Sequence, residues 1–294
     1  SGTLGAYDLF TMNDRVFALG DAHAYGFPVD IYELLPTGTA ARWRPSSANN
    51  ALSPRLPRAT KVREIARPPD QAEGVTSWGC AAFGGFACLV WDAVGGGGFG
   101  TVHVVRAADD QTLTIERMNA GDHPRKLLRA LAISDRFLIL GTPSVATALD
   151  LARFIPASDE AVTDVAQDLF SGATITRYAA AVATGTDDFA VICQLGNDLV
   201  TRLFSSTGTL IRTYSTIAVT ASPSVCIEAA AGLSNQVVIG YVATDGLSAT
   251  FITYNLTTGA TVATRAGSFT SAGTVVNVNV VRIATAMVVI SASL

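Results

Sequence analysis

The chain has 294 residues, of which 49% are apolar and only 15% charged, against the roughly 25% charged typical of soluble domains; this supplies a large core and excludes a disordered, collagen-like or coiled-coil chain. With 20 basic and 24 acidic residues and a net charge of -4, it has no broad basic field to attract nucleic acid. No apolar run approaches the length of a membrane span, so no membrane-spanning helix is predicted.

Read in chain order, the first strand group spans residues 12–43 and ends in a hairpin, Tyr32 to Trp43, around Gly38. Residues 44–74 then break the pattern as a long irregular insertion bearing Arg44, Arg55, Arg58, Lys61, Arg63 and Arg67 against Glu64, Asp70 and Glu73. Its composition predicts an excursion that packs on a face of the fold or reaches a partner. A second group covers 77–118 and includes the run Gly95 to Gly100. A glycine loop that cradles phosphate opens a helix, whereas here the strand-like Thr101 to Arg106 follows; a hairpin tip is predicted. A third group covers 126–155, and residues 156–172 fit either a short capped helix or an outer strand.

From residue 173 the text is almost wholly strand and turn. Tyr178–Val182, Phe189–Leu195, Leu199–Phe204 and Leu210–Tyr214 form one group of four; Val225–Ala229, Gln236–Ala243, Ala249–Asn255 and Ala260–Arg265 form the next. The separators are rich in Gly, Asn, Asp, Ser and Thr, which supply turn geometry. Residues 273–294 make a partial group of about two strands.

The last hairpins of these groups align. Leu203 to Tyr214 matches Tyr254 to Arg265, placing Gly208 and Gly259 51 residues apart. The hairpin around Gly38 is a third copy, and Val104 to Arg117, turning at Asp109 and Asp110, is a degenerate fourth. A period of about 40 to 50 residues with four strands per unit predicts an all-β chain, a β-propeller of five or six four-stranded blades in one domain over 1–294, with 44–74 inserted into it. The incomplete ends are expected to close the ring together.

Candidate chemistry is sparse. The histidines, His23, His103 and His123, are too scattered to define a metal site, and the pairs Asp109–Asp110 and Asp187–Asp188 fall in turn text, where Asp bonds its own backbone. Cys80, Cys88, Cys193 and Cys226 form no ligand spacing and read as small core residues. No hydrolase or metalloprotease signature occurs, so neither catalytic residues nor a cofactor is predicted. Trp78, Tyr25 and Phe27 are candidates for stacking on a sugar ring, although aromatics also fill the space between blades.

Charge is distributed unevenly. Residues 1–150 hold 14 basic and 15 acidic residues, residues 151–294 only 6 and 9, and after Arg212 only Glu228, Asp245, Arg265 and Arg282 are charged. Outer strands of a monomer normally carry solvating charge; a half covered instead by Thr, Ser, Ala and Val points to contact with other subunits.

The run Asp14 to Ala22, the stretch Val29 to Leu34, Arg67-Pro-Pro followed by Ser77 to Ala82, and the Thr/Ala/Val-rich blades resemble tail proteins of tailed bacteriophages, in particular the propeller-bearing nozzle or tail-tubular proteins of short-tailed phages. The resemblance is one of style across most of the chain. It implies a non-enzymatic component of the virion tail, assembled as a homo-oligomeric ring that contacts other tail proteins and passes DNA without reading its sequence. Members of that group are typically longer, which makes this chain a part or a small relative. A carbohydrate- or receptor-binding propeller is the alternative expectation.

Overall fold

The computed structural model describes residues 5–12, 15–21, 29–35, 58–65, 75–93, 100–107, 113–118, 125–143, 147–157, 162–172, 174–183, 186–219, 227–231, 235–242, 248–268, 277–284 and 287–293. Among them are 23 strands and no helix. The fold is all-β, and the chain groups into two compact units, Ser1–Gly121 and Asp122–Leu294.

The first unit contains two four-stranded antiparallel meanders. One is built in order from β1 (Gly5–Met12), β2 (Arg15–Asp21), β3 (Val29–Leu35) and β4 (Arg58–Ile65), the other from β5 (Val75–Phe83), β6 (Phe86–Ala93), β7 (Gly100–Ala107) and β8 (Leu113–Met118). Their first strands, β1 and β5, adjoin. The segment expected to be irregular over 44–74 therefore supplies a regular strand, since β4 pairs with β3 from Val29↔Ile65 to Leu35↔Arg58. The sequence Arg-Ala-Thr-Lys-Val-Arg-Glu-Ile hides this because four of its eight residues are charged, a composition that edge strands use to discourage further pairing. The first group also begins earlier than its sequence limit of residue 12, at Gly5.

The second unit holds two four-stranded meanders, a five-stranded sheet and a two-stranded one. They comprise β9 (Arg125–Ile133), β10 (Arg136–Pro143), β11 (Ala148–Phe154) and β12 (Thr163–Ser171); β13 (Ile175–Val182), β14 (Phe189–Leu195), β15 (Asp198–Phe204) and β16 (Leu210–Thr213), with the short β17 (Ile217–Ala218) also on β15; β18 (Ile227–Ala231), β19 (Gln236–Val242), β20 (Ser248–Asn255) and β21 (Thr261–Ser268); and β22 (Asn277–Ala284) with β23 (Met287–Ser293). The ambiguous stretch 156–172 resolves as the outer strand β12. Phe189–Leu195 coincides with its sequence limits, and the other strands predicted after residue 173 match to within a few residues.

The first strands β9, β13, β18 and β22 adjoin one another in chain order, so within this unit the sheets stack face to face along a common inner edge. Between the sheet of β9–β12 and that of β13–β16 lies one apolar layer, with Leu131, Leu138, Leu140, Leu149, Leu151, Phe170, Phe189, Val191 and Phe204 all buried. A second layer, including Ala179, Ile192, Leu199, Leu203, Tyr214, Val237, Ile239 and Tyr254, fills the next interval, and Val238, Phe251, Val278 and Val280 fill the last. β14 is buried along Phe189–Gln194 on both faces, which explains why its sequence is continuously apolar from Phe189 to Cys193 instead of alternating.

Candidate functional site

The repeated hairpin has a structural purpose that its sequence only hints at. In the β15–β16 hairpin Gly208 sits at φ 79, and in the β20–β21 hairpin Gly259 sits at φ 75, backbone that residues with a side chain enter at a cost. Gly208 N donates to Ser205 O at 2.9 Å and Gly259 N to Asn255 O at 2.9 Å. The second turn is further tied by Asn255 Oδ1, which accepts from Thr257 N and Thr258 N at 2.9 and 2.8 Å, an Asx arrangement.

Each of these turns docks on the outer strand of the preceding sheet. A Cβ on Gly208 would overlap Ala166 Cβ of β12 and come within 3.4 Å of Leu169 and 3.5 Å of Leu151; a Cβ on Gly259 would meet the Arg212 side chain of β16 at 3.1 Å. Arg212 in turn donates from Nη1 to Thr258 O at 3.2 Å and from Nη2 to Thr257 O at 2.5 Å. One sheet back, Arg202 Nη1 donates to Leu169 O at 2.8 Å, with its guanidinium 4.5 Å from the centre of the Phe170 ring. The outer rim is thus assembled from a glycine turn and an arginine fork reaching between neighbouring sheets.

Beyond these docks the outer strands present apolar side chains to solvent. Leu210, Ile211 and Val262 are 50%, 48% and 52% exposed, on β16 and β21, and Thr261, Thr264, Arg265 and Ala266 are exposed beside Val262. These large apolar residues stand half exposed on strands that each carry a single charge, Arg212 on β16 and Arg265 on β21. Sequence reading locates this region through its charge deficit but does not single out Leu210, Ile211 and Val262, because adjacent apolar residues in a hairpin arm look like core until the partner strand's burial is known.

The stacking candidates are not brought together by the described residues. Trp78 lies on β5, opposite Trp91 of β6 in the pairing register, while Tyr25 and Phe27 fall outside the described residues. Of the basic residues assigned to the insertion, Arg58, Lys61 and Arg63 lie on β4, at its first position, opposite Tyr32 and opposite Ile31; Arg44, Arg55 and Arg67 fall outside the described residues. His103 is on β7 as expected; His23 and His123 lie outside. Of the glycine run, Gly100 opens β7 and pairs with Asp92 of the antiparallel neighbour β6; residues 95–99 fall outside the described residues. Asp187 lies in the turn between β13 and β14, but its carboxylate bonds across to another hairpin and not to its own backbone, accepting from Ser134 N at 3.3 Å and Ser134 Oγ at 2.9 Å.

Cys88 and Cys193 are free and buried, and burial raises both thiols, Cys193 to about 12; a thiol so held is a poor nucleophile. Tyr214 and Tyr254 stack in a tilted pair 4.9 Å apart, their phenols raised mainly by burial. Among the described residues no group of three or more His, Cys, Asp or Glu is placed to hold a metal ion, and no helix is long and apolar enough to cross a membrane.

No protein-family model matches the chain, and neither does any curated protein sequence. Solved structures do match in fold. A prolyl endopeptidase structure superposes with a TM-score of 0.50 at 12% identity over 90% of this chain, which spans 42% of that protein's chain. An exo-β-1,3-galactanase from Phanerochaete chrysosporium, solved with β-1,3-galactotriose, superposes with a TM-score of 0.47 at 11% identity over 86% of this chain and 60% of its own. Identities this low speak to fold alone, and of the two only the first superposes closely enough to support the all-β architecture.

Proposed function

We propose that the chain is a β-propeller module that works by contact instead of chemistry: a non-enzymatic structural component that assembles with copies of itself into a ring and docks onto neighbouring proteins. The six successive antiparallel sheets, with first strands adjoining within each unit, support six blades. The observation that carries the assembly reading is the outer rim of the second unit, where Leu210, Ile211 and Val262 stand about half exposed in a stretch with four charges after Arg212. Solvent-facing strands of this kind favour association. The resemblance to phage tail proteins gives the assembly its setting, a virion tail, with passage of DNA through the ring as the accompanying role.

Sedimentation velocity over a wide concentration range tests this. The chain is expected to sediment as a discrete oligomer, and Leu210→Lys with Ile211→Lys to shift it to monomer while leaving the circular dichroism spectrum intact. A wild-type chain that stays monomeric at the highest concentration reached rejects the assembly reading.

The second reading is a propeller that binds a surface carbohydrate or receptor. Trp78, which lies on β5, is the residue that supports it, since tryptophan is a residue type on which a sugar stacks. A glycan array that returns a clear ligand, lost on Trp78→Ala, selects this reading over the first.

A further inference from the structure

The sheet of β22 and β23 is half the size of its neighbours. In the other five sheets the second strand, β2, β6, β10, β14 or β19, is paired along both edges, whereas among the described residues β23 is paired with β22 alone. Its sequence is nevertheless that of a second strand. Met287-Val-Val-Ile-Ser291 repeats Gln236-Val-Val-Ile-Gly240 of β19 at three consecutive positions, with a small residue after them. In β19 that stretch is held by β18 on one side and on the other by β20, from Gln236↔Asn255 to Val242↔Ala249. β23 also carries no charge, while the outer strands β4, β8, β12, β16 and β21 all do, as exposed edges commonly do. An uncharged strand with an open edge is a template for a further strand.

The preceding sheet points to the same partner. The Gly208 turn rests against Ala166 of β12 and the Gly259 turn against Arg212 of β16, so each of these outer strands receives the hairpin that joins the third and fourth strands of the next sheet. β21 is the outer strand before the sheet of β22 and β23, whose two strands supply no such hairpin. The arginines register the difference. Arg212 pairs with Leu203, which is buried against the next sheet together with Val237 and Ile239, and from that face it holds Thr257 O and Thr258 O. Arg265 pairs with Phe251, which packs with Val278 and Val280 of β22, so Arg265 occupies the corresponding face of β21. Among the described residues the exposed Arg265 hydrogen-bonds only to the carbonyl of its own neighbour Thr264, at 3.4 Å.

We propose that β23 and β21 dock a β-hairpin from another polypeptide chain, which completes the two-stranded sheet in trans. The first strand of the hairpin runs antiparallel to β23 along its open edge, and its turn rests on β21, where Arg265 holds the turn carbonyls as Arg212 holds those of Thr257 and Thr258. Every other described strand of this chain is already placed in one of the five larger sheets, so the hairpin belongs to a partner. Its chemistry is that of the hairpin beside β19: an uncharged strand of β-branched and aromatic residues like β20, Ser248–Asn255, followed by a glycine turn. Backbone hydrogen bonds to β23 supply affinity, and the alternate side chains supply selectivity. This gives the dock onto neighbouring proteins a place and a form; it uses neither Leu210 nor Ile211 and stands apart from self-association through the outer rim.

The probe is a synthetic peptide of residues 248–268, this chain's own third strand, glycine turn and fourth strand, titrated into the full chain by fluorescence anisotropy alongside a scrambled peptide of the same composition. The hairpin peptide is expected to bind and the scrambled one not. Hydrogen exchange read by mass spectrometry is expected to show fast-exchanging amides in β23 of the free chain that become protected when the peptide binds. Arg265→Gln, an exposed substitution, is expected to weaken binding about tenfold. The variant with Leu210→Lys and Ile211→Lys is expected to bind the peptide as the wild type does, so failure of the assembly reading and failure of this dock are read separately. No binding at millimolar peptide overturns the proposal, as does binding that leaves β23 unprotected or is unchanged in Arg265→Gln. Protection of β23 in the chain alone that rises with its concentration assigns the edge to a second copy and also overturns it.

Discussion

Replacing Gly208 with alanine tests whether the repeated hairpin is an inter-sheet dock or merely a tight turn. Holding a residue with a Cβ in left-handed backbone costs about 1–2 kcal/mol, offset by roughly 0.4–1 kcal/mol because alanine restricts the unfolded chain. At φ 79 Gly208 incurs that strain, and its new methyl would also overlap Ala166 Cβ while approaching Leu169 and Leu151 at 3.4 and 3.5 Å. Ala166 Cβ is fixed to the backbone of β12 and cannot rotate away, so overpacking adds about 1–3 kcal/mol. Gly196 provides the control: at φ 60 it shares the strain, yet its added Cβ meets nothing within 4 Å. Gly259→Ala should fall between the two, because the Arg212 side chain at 3.1 Å is able to shift. Thermal unfolding followed by circular dichroism should therefore place Gly208→Ala below Gly196→Ala by about 2–12 °C, taking 2–4 °C per kcal/mol for a body of this size. Adding Ala166→Gly to Gly208→Ala removes the overlap, so the double variant should be more stable than the two single losses predict. Equal destabilisation at Gly208 and Gly196, or strict additivity in the cycle, refutes the dock.

Two further outcomes follow from the buried groups. Burial raises the Tyr214 and Tyr254 phenols above their usual value of 10, so the unfolded chain loses these protons first; stability is full below about pH 10 and falls as pH rises through the folded values, and Tyr254→Phe should flatten that alkaline loss in urea titrations. Tyr214 Oη has no hydrogen-bond partner among the described residues, so Tyr214→Phe should leave stability at neutral pH unchanged or slightly improved; a clear loss would show that the hydroxyl is satisfied. With its thiol pushed up to about 12, Cys193 should resist a disulfide reagent at about pH 8 in the native protein and react once guanidinium unfolds it. Rapid native labelling of Cys193, located by mass spectrometry, contradicts its burial.

The elements legible in the sequence are those whose signals are local. Phe189–Cys193 is apolar throughout because both faces of β14 are covered, and Gly208 and Gly259 are spaced alike because each turn needs the same left-handed residue. β4 escapes notice because a strand with one protected edge satisfies its backbone while tolerating Arg58, Lys61, Arg63 and Glu64. β12 is ambiguous because its burial is split, with Leu169 and Phe170 inside and Gln167 and Asp168 outside, and Asp168 at φ 57; the mixture interrupts any period of two.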